Sequence, residues 1–411
     1  MTPTSGVGAL LANRRYAYYL LSRVSLIVAT QMLSVAVGWQ VYEITGKALA
    51  LGLSGLALFL PGVLLALPGG HLADRRDRRT ILMVCHVGVA LCAAILAVLA
   101  LEGGKSLIAI YAVLAALGTI RAFSGPAGQA LMPNLVDRSD LERAVALGSS
   151  SWQLAMIAGP SIGGALYAAT GGAGVVYVTC AVMALVAFGA AFAIGEPPAP
   201  PGARVREPVT WSTVLAGLRY VRSNRPILGA ISLDLFAVLL GGAVALLPIF
   251  ARDLLHVGPW GLGILRSAPA VGAAAIALFI TRFPLKRRTG VTMLVCVLVF
   301  GLCTIVFGVS KNFAVSLVAL FILGASDMIS VVIRSTLIQT RTPDAMRGRV
   351  SAVNMVFIGA SNELGEFESG VTAAWLGPEL AVVVGGIGTC VVVVLWALIF
   401  PALRAVDRLD E

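Results

Sequence analysis

Ten residues near the C-terminal end carry the densest chemistry in the chain: Ser361-Asn362-Glu363-Leu364-Gly365-Glu366-Phe367-Glu368-Ser369-Gly370. In a helix, Gly359, Glu363, Glu366 and Gly370 fall on one stripe. Two carboxylates held close together at low dielectric cannot easily both ionise, so one is expected to keep its proton near neutrality. Such a pair can take up a proton on one side of a barrier and release it on the other. It can equally bond neighbouring helices or attract a cationic ligand, and the residues alone leave these uses open. Glu368 points off the stripe. Arg23, Arg121, Asp234, Arg266, Asp327 and Arg334 also interrupt apolar runs. Each would cost about 2.5–3.5 kcal/mol unpaired at the centre of a membrane helix, so these charges should face water or one another.

The elements that must carry these charges are membrane helices. The chain has 411 residues, 58% hydrophobic and 12% charged, against about 25% charged in soluble domains. Its mean hydropathy is +0.93. Twelve apolar runs are long enough to span a bilayer. They lie near 17–42, 49–70, 80–101, 106–129, 144–169, 174–194, 227–251, 260–281, 290–309, 313–338, 349–376 and 379–402. The first is too long for the core of a cleaved signal and reads as a retained span. The 45 glycines suit helices that must pack closely in lipid. The expected fold is an all-α membrane protein.

The loops after even-numbered spans hold the bases, among them Arg75, Arg76, Arg78, Arg79, Arg138, Arg143, Arg204, Arg206, Arg282, Lys286 and Arg347. The other side offers few, such as Lys47 and Lys105. The positive-inside rule puts both termini in the cytoplasm. The net charge of +10 is therefore a topology signal, and no nucleic-acid partner is expected. The six cysteines lie within apolar runs without metal-ligand spacing, which predicts no metal site and no disulfide. No phosphate-binding glycine loop and no nucleophile–base pair appears, so neither a cofactor nor enzymatic activity is expected.

The Gly195-Glu196-Pro197-Pro198-Ala199-Pro200-Pro201-Gly202 stretch cannot continue a helix. It divides the chain into residues 1–194, a cytoplasmic linker at 195–226 and residues 227–411. Within the linker Trp211, Val214, Leu215, Leu218 and Val221 recur at helical spacing, predicting a short amphipathic helix on the inner membrane face. The halves are repeats. An offset of 206 aligns Gly118 with Gly324, Arg121 with Asp327, Gly159 with Gly365 and Gly164 with Gly370. An offset of 211 aligns Arg23 with Asp234, and Cys85 and Cys92 with Cys296 and Cys303.

Gly70-His71-Leu72-Ala73-Asp74-Arg75-Arg76-Asp77-Arg78-Arg79 lies between two apolar runs. It resembles the loop signature of the major facilitator superfamily, matching at Gly70, Leu72, Asp74, Arg75, Arg78 and Arg79. Asp77 stands where that pattern has glycine. Ala158-Gly159-Pro160-Ser161-Ile162-Gly163-Gly164 resembles the antiporter signature of its drug exporters. Gly38-Trp39-Gln40-Val41-Tyr42-Glu43-Ile44-Thr45-Gly46 and Thr342-Pro343-Asp344-Ala345-Met346-Arg347-Gly348-Arg349-Val350 are similar, with the Ser361–Gly370 run, to the bacterial branch that includes siderophore exporters and related efflux proteins.

The resemblance implies two pseudo-symmetric six-helix bundles that rock about a midplane substrate site. It implies proton coupling through Glu366, Glu363, Arg121 and Asp327. Gln31, Trp39, Gln40, Arg23 and Asp234 become substrate-cavity candidates. Gly70, Asp74, Arg75, Arg78, Arg79, Gly159, Pro160, Gly163 and Gly164 become the conformational gate. Arg23 with Asp234, and Arg121 with Asp327, would face each other as switching pairs; pairing within one half, such as Asp327 with Arg334, is the alternative. The implied protein is a monomeric secondary exporter of small drug-like molecules in the bacterial cytoplasmic membrane, driven by protons, with the lipid bilayer as its other partner. Export of one endogenous metabolite such as a siderophore is the alternative, and a non-transporting sensor or partner subunit a remote one.

Overall fold

A computed structural model describes residues 7–137, 139–195, 211–283 and 287–407. Most of the 195–226 linker and the bases Arg138, Arg204, Arg206 and Lys286 lie outside the described residues, as do the side chains of Asp74, Trp211, Val214, Asp344 and Ala345. The described chain is helical. In order the helices are α1 (Val7–Ala12), α2 (Arg14–Thr45), α3 (Ala48–Leu64), α4 (Ala66–Arg75), α5 (Arg78–Leu101), α6 (Leu107–Leu131), α7 (Leu141–Thr170), α8 (Ala173–Ala193), α9 (Trp211–Ser223) and α10 (Arg225–Leu240). The short α11 (Leu247–Ile249) is followed by α12 (Gly258–Arg282), α13 (Thr289–Val309), α14 (Phe313–Arg341), α15 (Asp344–Leu376), α16 (Pro378–Ile399) and α17 (Pro401–Arg404).

Among the described residues nine helical stretches are long and apolar enough to cross a membrane. Three further rods, α3–α4, α7 and α15, are consistent with the remaining spans that the sequence predicts. The α3–α4 rod is broken at Leu65, because Pro68 has no N–H to donate to the preceding turn. Helix α7 is diluted by Gly and Ser, and α15 by Glu363, Glu366 and Glu368. Apolar side chains such as Ile108 and Trp375 are more than four-fifths exposed, as expected where the solvent is lipid rather than water.

The chain forms two compact units. The first holds Met1–Gln40 and Ala57–Pro208, the second Val41–Leu56 and Val209–Glu411. The same pairings recur inside each. In the first unit α5 packs on α6 and α8, and α4 on α6; in the second α13 packs on α14 and α16, and α12 on α14. Gly118 of α6 leaves no room for a Cβ against the Leu58 carbonyl, and Gly324 of α14 none against the Pro269 carbonyl. Residues related by the sequence repeat thus make the same close helix crossing. Helix α9 seats Gly217 against the Arg349 backbone of α15, and Tyr220 donates to the Arg341 carbonyl at 2.9 Å.

Asp77 explains its own departure from the loop pattern. It caps α5, accepting from the backbone N–H groups of Arg79 and Thr80 and from the Thr80 hydroxyl at 2.7 Å. Burial pushes its carboxyl up, but these bonds and the Arg79 charge outweigh that and hold it below the ordinary value. Asp77→Ala is expected to cost about 1 kcal/mol of stability. A depressed folded-state value means the contribution is present above pH about 4 and is lost as the pH falls through the lower folded value. Thermal unfolding of both proteins across this range checks it: the difference should shrink under acid.

Candidate functional site

In the second unit the glutamate stripe of α15 meets a broken helix. Helix α10 stops at Gly241-Gly242, and the chain continues through a 3-10 turn at Ala243–Leu246, α11 and a π turn at Phe250–Leu254. A Cβ on Gly242 would sit 2.7 Å from the Gly365 carbonyl and from Ser369 Oγ. The break therefore lies against the middle of the stripe. Helix α3 presses on it too. A Cβ on Gly55 would be 2.9 Å from a Glu366 carboxylate oxygen, and one on Gly52 would be 3.1 Å from the Gly370 Cα. Glu363 and Glu366 are both half-buried.

Arg266 of α12, one of the in-span charges of the sequence, supplies a partner that the sequence did not assign to the stripe. It interacts electrostatically with Glu366 first and with Glu363 second. The two carboxylates thus share one cation. Gly241-Gly242 followed by Pro248 was the available signal for the break; the Arg266 pairing needed the tertiary fold. Glu368 stays apart and accepts from the Thr372 hydroxyl at 2.7 Å.

Asp234 of α10 is buried in an ion pair with Arg334 of α14, whose side chain is 2% exposed. Asp327 feels both Asp234 and Arg334. Both acids therefore find their counter-charge inside the second unit, as the intra-half alternative has it. Arg121, one of the in-span charges expected to face water or a partner, is exposed. For a charge in mid-span, that places it on a watery face rather than in the packed interior.

In the first unit the proline–glycine run of α7 lies on α2. A Cβ on Gly159 would be 2.6 Å from the Gln31 Cβ, and one on Gly163 would be 2.8 Å from the Met32 Cα. Pro160 and Gly164 are buried in the same helix. Gly163→Val is expected to force the two helices apart and cost about 1–3 kcal/mol, read as a lower thermal midpoint in detergent. Gln31 contacts the Met156 sulfur. Trp39 packs edge-on against Tyr167 at 6.3 Å, and Gln40 accepts from the Tyr177 hydroxyl at 2.7 Å. Trp39 and Gln40 are at most 9% exposed, so their polar and aromatic capacity goes into helix packing. Arg23 is half-buried and lines a cavity of about 200 Å³.

The loop arginines act as fasteners. Arg78 donates to the Ala130 carbonyl at 2.8 Å. Arg79 donates to the carbonyls of Ala191 and Phe192 at 3.0 and 2.6 Å and lies over the Phe192 ring. They satisfy orphan carbonyls at the C-termini of α6 and α8, where helix dipoles favour cations. Gly70 has open space around its Cα, and Arg75 is exposed. The Asp74 side chain lies outside the described residues.

With this geometry in hand, comparisons with known proteins agree with one another. A family described as "Transmembrane secretion effector" matches residues 9–411. The enterobactin exporter of Citrobacter koseri is 30% identical over 93% of this chain and 91% of its own length. That of Escherichia coli O1:K1 is 29% identical over 93% and 91%. Among solved structures the nucleoside transporter NupG superposes with a TM-score of 0.74 at 12% identity, covering 94% of this chain and 100% of its own. A bacterial homologue of the iron transporter ferroportin gives 0.72 at 16%, covering 95% and 99%. At such identities the structures speak for the fold alone.

Proposed function

The chain belongs to the transmembrane secretion effector family of the major facilitator superfamily, and on that premise we propose that it is a secondary exporter of an endogenous metabolite of the siderophore class. The observation that carries this reading is its similarity, over nine-tenths of both chains, to exporters named for one siderophore. That similarity favours dedicated metabolite export over the broad drug export that the antiporter-like run of α7 suggested. The proposed setting is the bacterial cytoplasmic membrane, with both termini in the cytoplasm and a single chain as the working unit.

Proton antiport supplies the driving force in this reading. The Glu366–Glu363–Arg266 cluster supports it: two acids beside one fixed cation, at a helix break, can exchange a proton with little rearrangement. The exposed Arg121 would shape the field that a substrate meets. The buried Asp234–Arg334–Asp327 group holds the second unit together.

The test is complementation in cells lacking their own enterobactin exporter. Expression of this chain should restore enterobactin in the medium, and a protonophore should stop it. Efflux of a lipophilic cation dye without release of the siderophore would favour the drug-export reading instead.

A further inference from the structure

Helix α9 of the second unit carries two stripes of the same spacing, and the fold uses only one of them. Gly217, Tyr220, Val221 and Asn224 stand at i, i+3, i+4 and i+7. Gly217 lies on the Arg349 carbonyl, and Tyr220 donates to the Arg341 carbonyl. Val221 is 1% exposed and joins Ile338, Val350 and Val353 in one apolar cluster. Asn224 accepts from the Ile227 N–H and so caps α10. The sequence groups Val221 with Leu215 and Leu218; the structure takes Val221 into the protein and leaves the two leucines out. The second stripe is Leu215, Leu218, Arg219 and Arg222, again at i, i+3, i+4 and i+7. Its leucines are 57% and 39% exposed, and both arginines are exposed.

The level of this stripe is fixed by three helix ends. A single residue, Asn224, separates α9 from α10, which begins a membrane-spanning stretch. The inner stripe holds α9 against Arg341, the last residue of α14, and against the start of α15 at Arg349. The helix cannot roll without uncovering Gly217 and Val221. The charge there is one-sided. Trp211–Ser223 contains no acid, and Arg225 follows, exposed, at the start of α10. Among the described residues no carboxylate pairs with Arg219, Arg222 or Arg225.

We propose that the Leu215–Leu218–Arg219–Arg222 stripe is a docking surface for anionic phospholipids of the leaflet at this end of the spans. Leucines interleaved with unpaired arginines suit the boundary where acyl chains meet phosphates. The leucines enter the acyl layer, and the arginine stems lie along it with their guanidinium groups at the phosphates. A soluble anion would leave Leu215 and Leu218 in water. Net negative headgroups are selected over zwitterionic ones because two or three unpaired cations sit at the surface with no acid among them. The surface is independent of the cargo, so it does not rest on the export reading.

The experiment is hydrogen–deuterium exchange across Trp211–Ser223 in the purified full-length protein, one copy per nanodisc. The discs are made of phosphatidylcholine alone or of phosphatidylcholine mixed with phosphatidylglycerol. Exchange should be slower by roughly tenfold or more in the anionic discs, since each arginine at an anionic surface contributes about a factor of five. High salt should shrink the difference. Arg219→Gln with Arg222→Gln should remove it, and Arg219→Lys with Arg222→Lys should keep most of it. Arg282→Gln with Arg287→Gln, which takes the same charge from exposed positions elsewhere in the second unit, should leave it intact. The proposal is overturned by equal exchange in the two discs, by an anionic effect that survives the Arg219 and Arg222 glutamines, or by its loss in the Arg282 and Arg287 control. Slowing by inorganic phosphate in phosphatidylcholine discs would assign the stripe to a soluble anion instead. Slowing only in discs that hold two copies would assign it to a second copy of the chain. Either result would also overturn the proposal.

Discussion

Arg334→Leu is expected to destabilise the second unit by about 3–5 kcal/mol, the range for removing one partner of a buried ion pair. Arg334 is 2% exposed and Asp234 6% exposed. Asp327 adds a second carboxylate in the field of the same guanidinium. Without the cation, two acids remain in a low-dielectric interior with nothing to offset them. The measurement is the thermal midpoint in detergent, together with the yield of monodisperse protein. Arg334→Leu combined with Asp234→Leu should recover most of the loss, because replacing both partners with apolar groups is often neutral. A single variant as mild as a surface substitution would mean that water reaches the pair and that its role is not structural.

The architecture was legible because its signals are local and repeated. Runs of about 20 apolar residues and the bias of Arg and Lys among the loops need no tertiary information. The offset of 206 has a structural counterpart: Gly118 and Gly324 each make a helix crossing too close for a side chain in their own units. The helix interruptions were harder to read. A hydropathy window runs through Leu65 and through Gly241-Gly242 because the residues on either side remain apolar. Only the missing N–H of Pro68 and the paired glycines mark the breaks.

The candidate site was half legible. Helical periodicity was enough to place Glu363 and Glu366 on one stripe. It could not pair them with Arg266, a charge nearly a hundred residues away that meets the stripe only in the folded unit. The surroundings of the polar residues of α2 were hidden for the same reason. Trp39 and Gln40 look like ligand contacts in a list of polar side chains, yet Tyr167 and Tyr177 occupy them. The loop arginines read as topology and gating, and the structure adds a task that sequence pattern does not encode: closing the carbonyl ends of α6 and α8.

Glu366→Gln is expected to reduce proton-driven export to background while leaving a folded protein. Glutamine keeps the volume and most of the hydrogen-bonding capacity of glutamate but cannot change its charge. Glu363 remains to face Arg266, so no buried cation is stranded. In everted vesicles carrying a proton gradient, adding substrate should discharge the gradient with the parent protein and leave it untouched with the variant. Exchange of substrate across the membrane without a gradient should survive, because exchange needs the binding site and the conformational change but no net proton transfer. Glu368→Gln is the control. Its carboxylate is taken up by Thr372 one turn away, and it should transport like the parent. Uphill export that persists in Glu366→Gln would move the coupling acid to Glu363, whose own glutamine variant would then have to lose it. If both variants pump, the cluster is a structural clamp on the helix break.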